Sequence, residues 1–249
     1  MKKVLVTGAN GYIGRHVINF LSNFSSVELT AVDISNKLSV DSIDYKNLNI
    51  LDLADDDTLY TKLNEPEICI HLAWQNGFVH NDEIHLRNVY RHYTFLKNMI
   101  EHGCTNINVM GSMHEIGYHV GIVNDLTPCN PVSLYGIAKN TLRQSLFALC
   151  DHQTSFCFKW LRAFYIVGDD IHNNSIFAKV IKLNNEGKKY FPFTSGQNKY
   201  DFLHIYEVAK QISCASLQED VCGVINICSG KSVKLITKIN EFISNNHLS

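Results

Sequence analysis

Tyr135-Gly136-Ile137-Ala138-Lys139 sets a phenol four residues ahead of an ammonium, a spacing that puts both on one face of a helix. A free tyrosine, with a pKa of about 10, neither gives nor takes a proton readily at neutral pH. A neighbouring Lys⁺ stabilises the phenolate and brings that value down. The pair then reads as an acid/base that exchanges a proton with a hydroxyl or a carbonyl. Spacing alone does not single it out, because it recurs at Tyr93/Lys97 and Tyr206/Lys210, which read as solvated helix faces. Position does. The pair at 135 opens the helix after the fifth expected strand, behind Asn130-Pro131-Val132-Ser133, where Ser133 or Pro131 defines the helix start.

A second constellation lies near the start of the chain. Thr7-Gly8-Ala9-Asn10-Gly11-Tyr12-Ile13-Gly14 follows an apolar strand and opens a helix. Gly8 permits a tight turn, Gly11 lets the backbone approach a pyrophosphate, and Gly14 lets helix and strand pack closely. Free N–H groups at the helix start face the phosphates, so Gly8, Asn10, Gly11, Tyr12, Ile13 and Gly14 form the candidate phosphate loop. Asp33, ending the second expected strand, can accept hydrogen bonds from ribose hydroxyls and would repel a 2′-phosphate. Ile34 follows it rather than arginine, so NAD is expected in preference to NADP; Arg15, a cation near the loop, keeps NADP open. With a nicotinamide bound, hydride would move at the ring while the phenol handles the proton.

Such groups need a scaffold that gathers them at one edge. Short β-branched runs alternate with helical periods. Strands are expected over 3–7, 27–32, 45–50, 68–72, 106–110 and 156–161, and helices over 12–24, 83–102 and 133–151. A further helix is expected to open with Asp55-Asp56-Asp57 and end before Glu65-Pro66. This β-α alternation predicts an α/β doubly wound parallel sheet with helices on both faces. After Arg162 the rhythm loosens: a helix over 175–186, returning strands over 200–204 and 224–227, and helices over 205–217 and 235–245. The expected division is 1–162 as the dinucleotide-binding domain, with strand and helix returns near 200–217. Residues 163–249 then form a small, shortened C-terminal lobe at the sheet's carboxyl edge, where ligands of open α/β sheets bind.

Composition narrows the classes further. At 249 residues and 45% apolar, the chain can bury a sizeable core without staples. Lys+Arg 22 against Asp+Glu 24 leaves no basic face for nucleic acid. No apolar run approaches the roughly 18–20 residues that span a bilayer. Gly8, Asn10 and Gly11 cut short the apolar stretch after Met1-Lys2-Lys3, so a signal segment is not expected and the cytoplasm is. The eight cysteines lack a C-x-x-C pair and read as small buried hydrophobes. The twelve histidines lack ligand spacing, and no metal site is expected.

These motifs resemble the extended short-chain dehydrogenase/reductase superfamily, in its NAD-dependent epimerase/dehydratase branch acting on nucleotide sugars. The resemblance runs over nearly the whole chain: the loop at 7–14, Asp33, Asp52-Leu53, His71-Leu72-Ala73, Asn88, Gly111-Ser112, Y-G-I-A-K at 135–139, Arg162 through Gly168, D-F-L-H at 201–204, and Asn226 with Ser229-Gly230. It implies a Rossmann-like sheet, with Asp52 and Leu53 at the adenine and Leu72 and Ala73 lining the cofactor cleft. Tyr135 is then the acid/base, Lys139 holds the nicotinamide ribose, and Ser112 hydrogen-bonds the reacting oxygen. Phe164 through Ile166 border the nicotinamide, and Asn174 faces the sugar nucleotide. A homodimer through the helices beginning near 83 and 133 is implied in the same way. His71 reads as strand packing, and Asn88 as bonded to backbone within its helix.

Three departures narrow the expected reaction. Many relatives place Ser or Thr where this chain has Met113, so either Ser112 serves from one residue away or no hydroxyl meets the reacting oxygen. The Thr-Asp-Glu run of nucleotide-sugar 4,6-dehydratases is Met113-His114-Glu115 here. Only the glutamate survives, which argues against dehydration and leaves Glu115 as a structural carboxylate. Where relatives carry Arg-Asp-Phe, this chain has Tyr200-Asp201-Phe202, and Lys199 would replace the arginine as a point charge without its fork. Ser112, Met113, His114, Asn174 and Lys199 are the substrate-side candidates. The resemblance thus points to a 4-ketoreductase of nucleotide-linked 6-deoxy-4-keto sugars, of dTDP-6-deoxytalose type. An NAD-dependent 4-epimerase and a non-catalytic NAD-sensing subunit are the alternatives.

Overall fold

Residues with branched apolar side chains on both sides of the backbone must be covered on both faces, and the chain's first strand meets that demand. Val4, Leu5 and Val6 are at most 1% exposed. The structure, a computed structural model, describes residues 1–35, 43–151, 156–168, 175–188, 190–191 and 193–248. Along the chain, β1 (Lys2–Thr7) leads into α1 (Gly14–Leu21), β2 (Val27–Asp33), β3 (Asp44–Asn47), α2 (Leu59–Lys62), β4 (Ile68–His71), α3 (Ile84–Glu101) and β5 (Asn106–Ser112). A 3-10 turn (Met113–Glu115) precedes α4 (Leu134–Cys150), β6 (Cys157–Ala163), β7 (Tyr165–Val167), α5 (Ile176–Asn185) and β8 (Lys199–His204). The last elements are α6 (Ile205–Leu217), β9 (Gly223–Ile227), β10 (Ser232–Lys234) and α7 (Leu235–Asn245).

The chain divides into two compact units. The first, Met1–Ala163 with Ala209–Ile227, holds a seven-stranded sheet in the order β3-β2-β1-β4-β5-β6-β9. Every neighbouring pair is parallel. Side-chain alternation along β5 shows how both faces are used. Ile107 and Val109 pack with Phe95 and Met99 of α3 and Leu142 of α4, whereas Asn106 sends its amide to the Ser216 carbonyl of α6 at 3.0 Å. Burying each such apolar side chain is worth about 1.5–3 kcal/mol. The strand order reverses between β1 and β4, so their carboxyl ends open a crevice just past Thr7 and His71.

The second unit, Phe164–Val208 with Cys228–Ser249, has a three-stranded sheet in the order β10-β8-β7. Here β10 runs antiparallel to β8, and β7 parallel to it. Val167, Phe177, Phe202 and Ile239 make its core.

The doubly wound sheet agrees with the alternation read from the chain, and so do the bounds of α6 and α7. Several expectations are corrected. The strand over 200–204 pairs within the small sheet, so β9 alone returns to the large one. β7 and β10, three residues each, escaped notice because such runs carry no period. α2 keeps only four residues, since the Asp56 carboxylate takes the Thr58 N–H at 2.8 Å and pairs with Lys62 at 2.7 Å. The side chain thus offers the backbone another partner where a helical turn was expected. Cys157 and Cys222 are joined in a disulfide, with Cα atoms 5.6 Å apart. They are 65 residues apart in the chain and meet because β6 and β9 are neighbours.

Candidate active site

The crevice past β1 and β4 holds a cavity of about 420 Å³. Gly8, Asn10, Gly11, Asp33, Leu72 and Ala73 line it. Gly8 has φ +68°, and a Cβ there would sit 2.7 Å from Ala73 Cα; a Cβ on Gly14 would come within 2.0 Å of the Gly8 carbonyl oxygen. The glycines are therefore required by close backbone approach. Tyr12 and Ile13 fill the half-buried turn before α1, outside the lining. Asp33 accepts the Asn10 N–H at 3.0 Å, and Asn10 Oδ1 is buried without a partner among the described residues. A carboxylate at the rim and an orphaned amide oxygen suit ribose hydroxyls, and a glycine-bearing loop that opens a helix suits the phosphates.

The wall at the expected adenine end runs from Leu48 to Leu51 and stops one residue before Asp52. Asp52 pairs instead with Arg91 at 2.9 Å, and Arg91 is itself on the wall. Leu53 packs against the core. Asn88 also lines the cavity, and its amide donates to the Gln75 side chain at 3.1 Å, not to helix backbone.

Beside this cavity the structure brings Ser112, Tyr135 and Lys139 together. Ser133 caps α4 by accepting the Gly136 N–H at 3.2 Å, which sets Tyr135 in the first turn and Lys139 one turn on. The Ser112 side chain, at the end of β5, faces the Tyr135 phenol and favours its ionised form, while its Oγ accepts the His114 N–H at 3.3 Å. The Lys139 ammonium donates to the Met110 carbonyl at 2.8 Å and lies 6.0 Å from the centre of the Tyr135 ring. Burial pushes the phenol up to about 12, against the pull of Ser112 and with a push from Glu115. Lys139 is not among the groups that set this shift, so the lowering expected of it is not found. Lys139 itself, 3% exposed, is brought down to about 7 by burial. The phenol in this geometry is a held proton.

Glu115 faces away from this chemistry. Its carboxylate takes the Arg162 guanidinium and, at 2.7 Å, the Trp160 indole N–H, with neither Glu115 nor Arg162 side chain exposed. Its bonds are those of a structural carboxylate. Met113 and His114 are half-buried on the same turn. The His114 ring lies 4.3 Å from that of His80 and 5.7 Å from that of Tyr135, and burial lowers its pKa to about 4.

Sequence reading missed the aromatic shell around Tyr135: Trp74 at 6.1 Å, His80 at 5.7 Å and His85 at 5.3 Å between ring centres. The excess of histidine between residues 71 and 92 was the available signal. His71 is strand packing, 2% exposed, bonded to Thr7 and to His92 at 2.8 Å each. Phe164, Ile166 and Lys199 belong to the second unit, where Ile166 lies on β7 and Lys199 begins β8. Asn174 lies outside the described residues.

A model of the NAD dependent epimerase/dehydratase family matches residues 4–228. The chain is 42% identical, over 98% of its length and 91% of the relative's, to the dTDP-6-deoxy-L-talose 4-dehydrogenase (NAD(+)) of Aggregatibacter actinomycetemcomitans. In fold it is similar to the UDP-glucose 4-epimerase of Thermotoga maritima, with TM-score 0.82, 19% identity and 99% and 83% of the two chains covered. It is likewise similar to the UDP-glucuronic acid 4-epimerase of Bacillus cereus solved with UDP-glucuronic acid and NAD, with TM-score 0.81, 20% identity and 99% and 84% covered.

Proposed function

We propose, on the premise that the chain belongs to the NAD dependent epimerase/dehydratase family, that it is an NAD-dependent oxidoreductase acting at C4 of a nucleotide-linked 6-deoxy-4-keto sugar of the dTDP-6-deoxytalose type. The likeness to the 4-dehydrogenase over nearly its whole length supports the substrate. The observation that carries the chemistry is the Tyr135 ring, its centre 6.0 Å from the buried Lys139 ammonium, with the Ser112 side chain facing the phenol from the end of β5.

The phosphate loop at Gly8–Gly14 and the Asp33 carboxylate would hold the cofactor. Bound NAD supplies the hydride exchange with the sugar carbon. In the reductive direction Tyr135 gives its proton to the C4 oxygen, and Ser112 steadies that oxygen with its own O–H. Burial favours the protonated phenol, as a proton donor requires. In the oxidative direction the phenolate form of the same side chain would take the alcohol's proton; burial disfavours that form, so proton donation is the step this geometry supports best. The second unit is assigned to sugar-nucleotide recognition.

The test is incubation of the protein with NADH or NADPH and a panel of dTDP- and UDP-linked 4-keto sugars. Stoichiometric loss of reduced-nicotinamide absorbance with one of them supports the reading. Interconversion of 4-epimers without net cofactor turnover, or no reaction across the panel, overturns it.

The same reading assigns the cytoplasm as the compartment and surface polysaccharide assembly as the use of the sugar. Among the described residues no helix is long and apolar enough to cross a membrane. It also assigns a homodimer through α3 and α4. Leu86 (46% exposed) and Tyr90 (69%) lie on a groove shared with Thr141 and Ala148 of α4, and a second copy of that helix pair would cover them. Light scattering of the purified chain decides between dimer and monomer.

A further inference from the structure

Trp74, three residues beyond the end of β4, lines the same cavity as Gly8, Asp33 and Ala73. Lys139 Nζ lies 3.7 Å from the centre of its ring, within the range of a cation–π contact and strongest where water is excluded. An ammonium has three N–H groups to satisfy, and the Met110 carbonyl takes one of them. The indole face is the other close partner of this buried cation.

The indole is itself held in place. Its Nε1–H donates to His85 Nδ1 at 3.1 Å, which leaves His85 Nε2–H for the Val79 carbonyl at 2.9 Å. Those two bonds set the tautomer of His85 and the orientation of the indole plane. His92 lies parallel to the indole, with centres 4.5 Å and planes 10° apart. His92 bonds to His71 at 2.8 Å, and His71 to the Thr7 hydroxyl at 2.8 Å. A continuous set of contacts therefore runs from the strand that ends in the phosphate loop, through two histidines and the tryptophan, to the lysine.

We propose that Trp74 is a positioning residue for Lys139: its indole face, locked by His85 and His92, fixes the ammonium between the cofactor cavity and Tyr135. This rests on the reading of the chain as a Tyr/Lys-dependent oxidoreductase. Charged or titratable groups face Lys139 from four elements. They are Glu115 on the 3-10 turn, which favours the cation, His71 on β4 and His92 on α3, which oppose it when protonated, and Tyr135 on its own helix. Trp74 adds a partner that carries no charge and does not titrate; because it also touches His85, His92, Tyr135 and the cavity, the direct readout of its hold on the ammonium is the titration of Lys139 itself.

The test compares Trp74→Phe, which keeps an aromatic face, with Trp74→Leu, which removes it. Trp74→Met replaces the leucine variant if that one fails to fold. Titration of the Lys139 side chain is followed by heteronuclear NMR on the cofactor-free protein, and kcat and KM for NAD are measured on the same samples. Trp74→Phe should stay within about threefold of wild type. Trp74→Leu should titrate Lys139 up to about one pH unit lower and raise KM for NAD or depress kcat about tenfold. An aliphatic variant with the wild-type lysine titration and wild-type kinetics overturns the proposal. A wild-type protein that neither binds NAD nor turns over defeats the oxidoreductase reading instead, and the NMR titration still decides whether Trp74 holds Lys139.

Discussion

Arg162 on β6 and Glu115 on the turn after β5 form an ion pair with both side chains fully buried, and Trp160 gives the same carboxylate a further N–H bond at 2.7 Å. Burial raises the Glu115 pKa while Arg162 pulls it down. Removing one partner of such a pair strands the other charge away from water, at a cost of about 3–5 kcal/mol. Glu115→Ala should therefore lower the unfolding free energy by that amount in a urea titration. A catalytic base at this position would behave in the opposite way, with stability kept and turnover lost. That pattern would return Glu115 to the chemistry.

Stability should fall on the acid side because of neutral histidines. Burial lowers His71 to about 3 from an ordinary 6.5, and His92 falls well below 6.5 for the same first reason. The unfolded chain takes up these protons below about pH 6.5 while the folded chain refuses them. Their contribution is then complete above pH 6.5 and is lost as the pH drops towards 3. Each of the two costs up to about 1.4 kcal/mol per pH unit in that window. Unfolding free energies measured at pH 7 and pH 5 should differ accordingly, and equal values would mean that these rings are protonated in the fold.

What was legible in the chain was local. The loop at Gly8–Gly14 and the pair Tyr135/Lys139 are short motifs whose geometry follows from a turn and a helical period, and both stand where the sheet order predicts. Alignment leaves the Ser112 question open, since the hydroxyl sits one residue early; the end of β5 sets its side chain facing the phenol, and a Ser112 variant decides whether it serves the oxygen. Contacts set by strand neighbourhood were not legible. Cys157 meets Cys222, and Arg162 meets Glu115, only once β6 lies between β5 and β9. Trp74 reaches Lys139 only when α4 is docked on the sheet. Such pairings depend on topology, which no spacing encodes.

The disulfide gives a separate stability prediction. It closes a loop of about 65 residues, and a cross-link of that span is typically worth about 2–4 kcal/mol through the unfolded chain. Thermal unfolding with and without dithiothreitol should show a lower midpoint in the reduced protein. Cys157→Ser should reproduce the reduced value and become insensitive to the reductant. Equal midpoints in all three samples would show that the bond adds nothing.

Asp33 should set cofactor preference. It lines the cavity and is tied to the Asn10 N–H at 3.0 Å, so its charge is fixed where a ribose 2′-position would meet it. Asp33→Asn should lower kcat/KM for NAD and raise it for NADP, shifting the ratio by about tenfold or more, the scale of one charge-assisted hydrogen bond gained or lost. Kinetics with both cofactors at equal ionic strength measure that ratio. An unchanged ratio would move the discrimination elsewhere, with Arg15 the first place to look.

The hydroxyls of Ser112 and Tyr135 should separate by the size of their losses. Tyr135 is the proposed proton donor, and general acid–base catalysis of this kind contributes about 10²–10⁴-fold. Tyr135→Phe keeps the ring among Trp74, His80 and His85, so it should lose that factor in kcat while binding NAD as before. Ser112 is proposed to stabilise the oxygen without exchanging its proton, and removal of one such donor costs about 10²–10³-fold. Because the two hydroxyls act on one oxygen, the double variant should lose less than the product of the single losses. Pre-steady-state rates under single turnover are the measurement, since slow product release would mask the smaller effect. If Ser112→Ala turns over like the wild type, no hydroxyl besides the phenol meets the reacting oxygen, and Met113 stands where relatives keep theirs without a replacement.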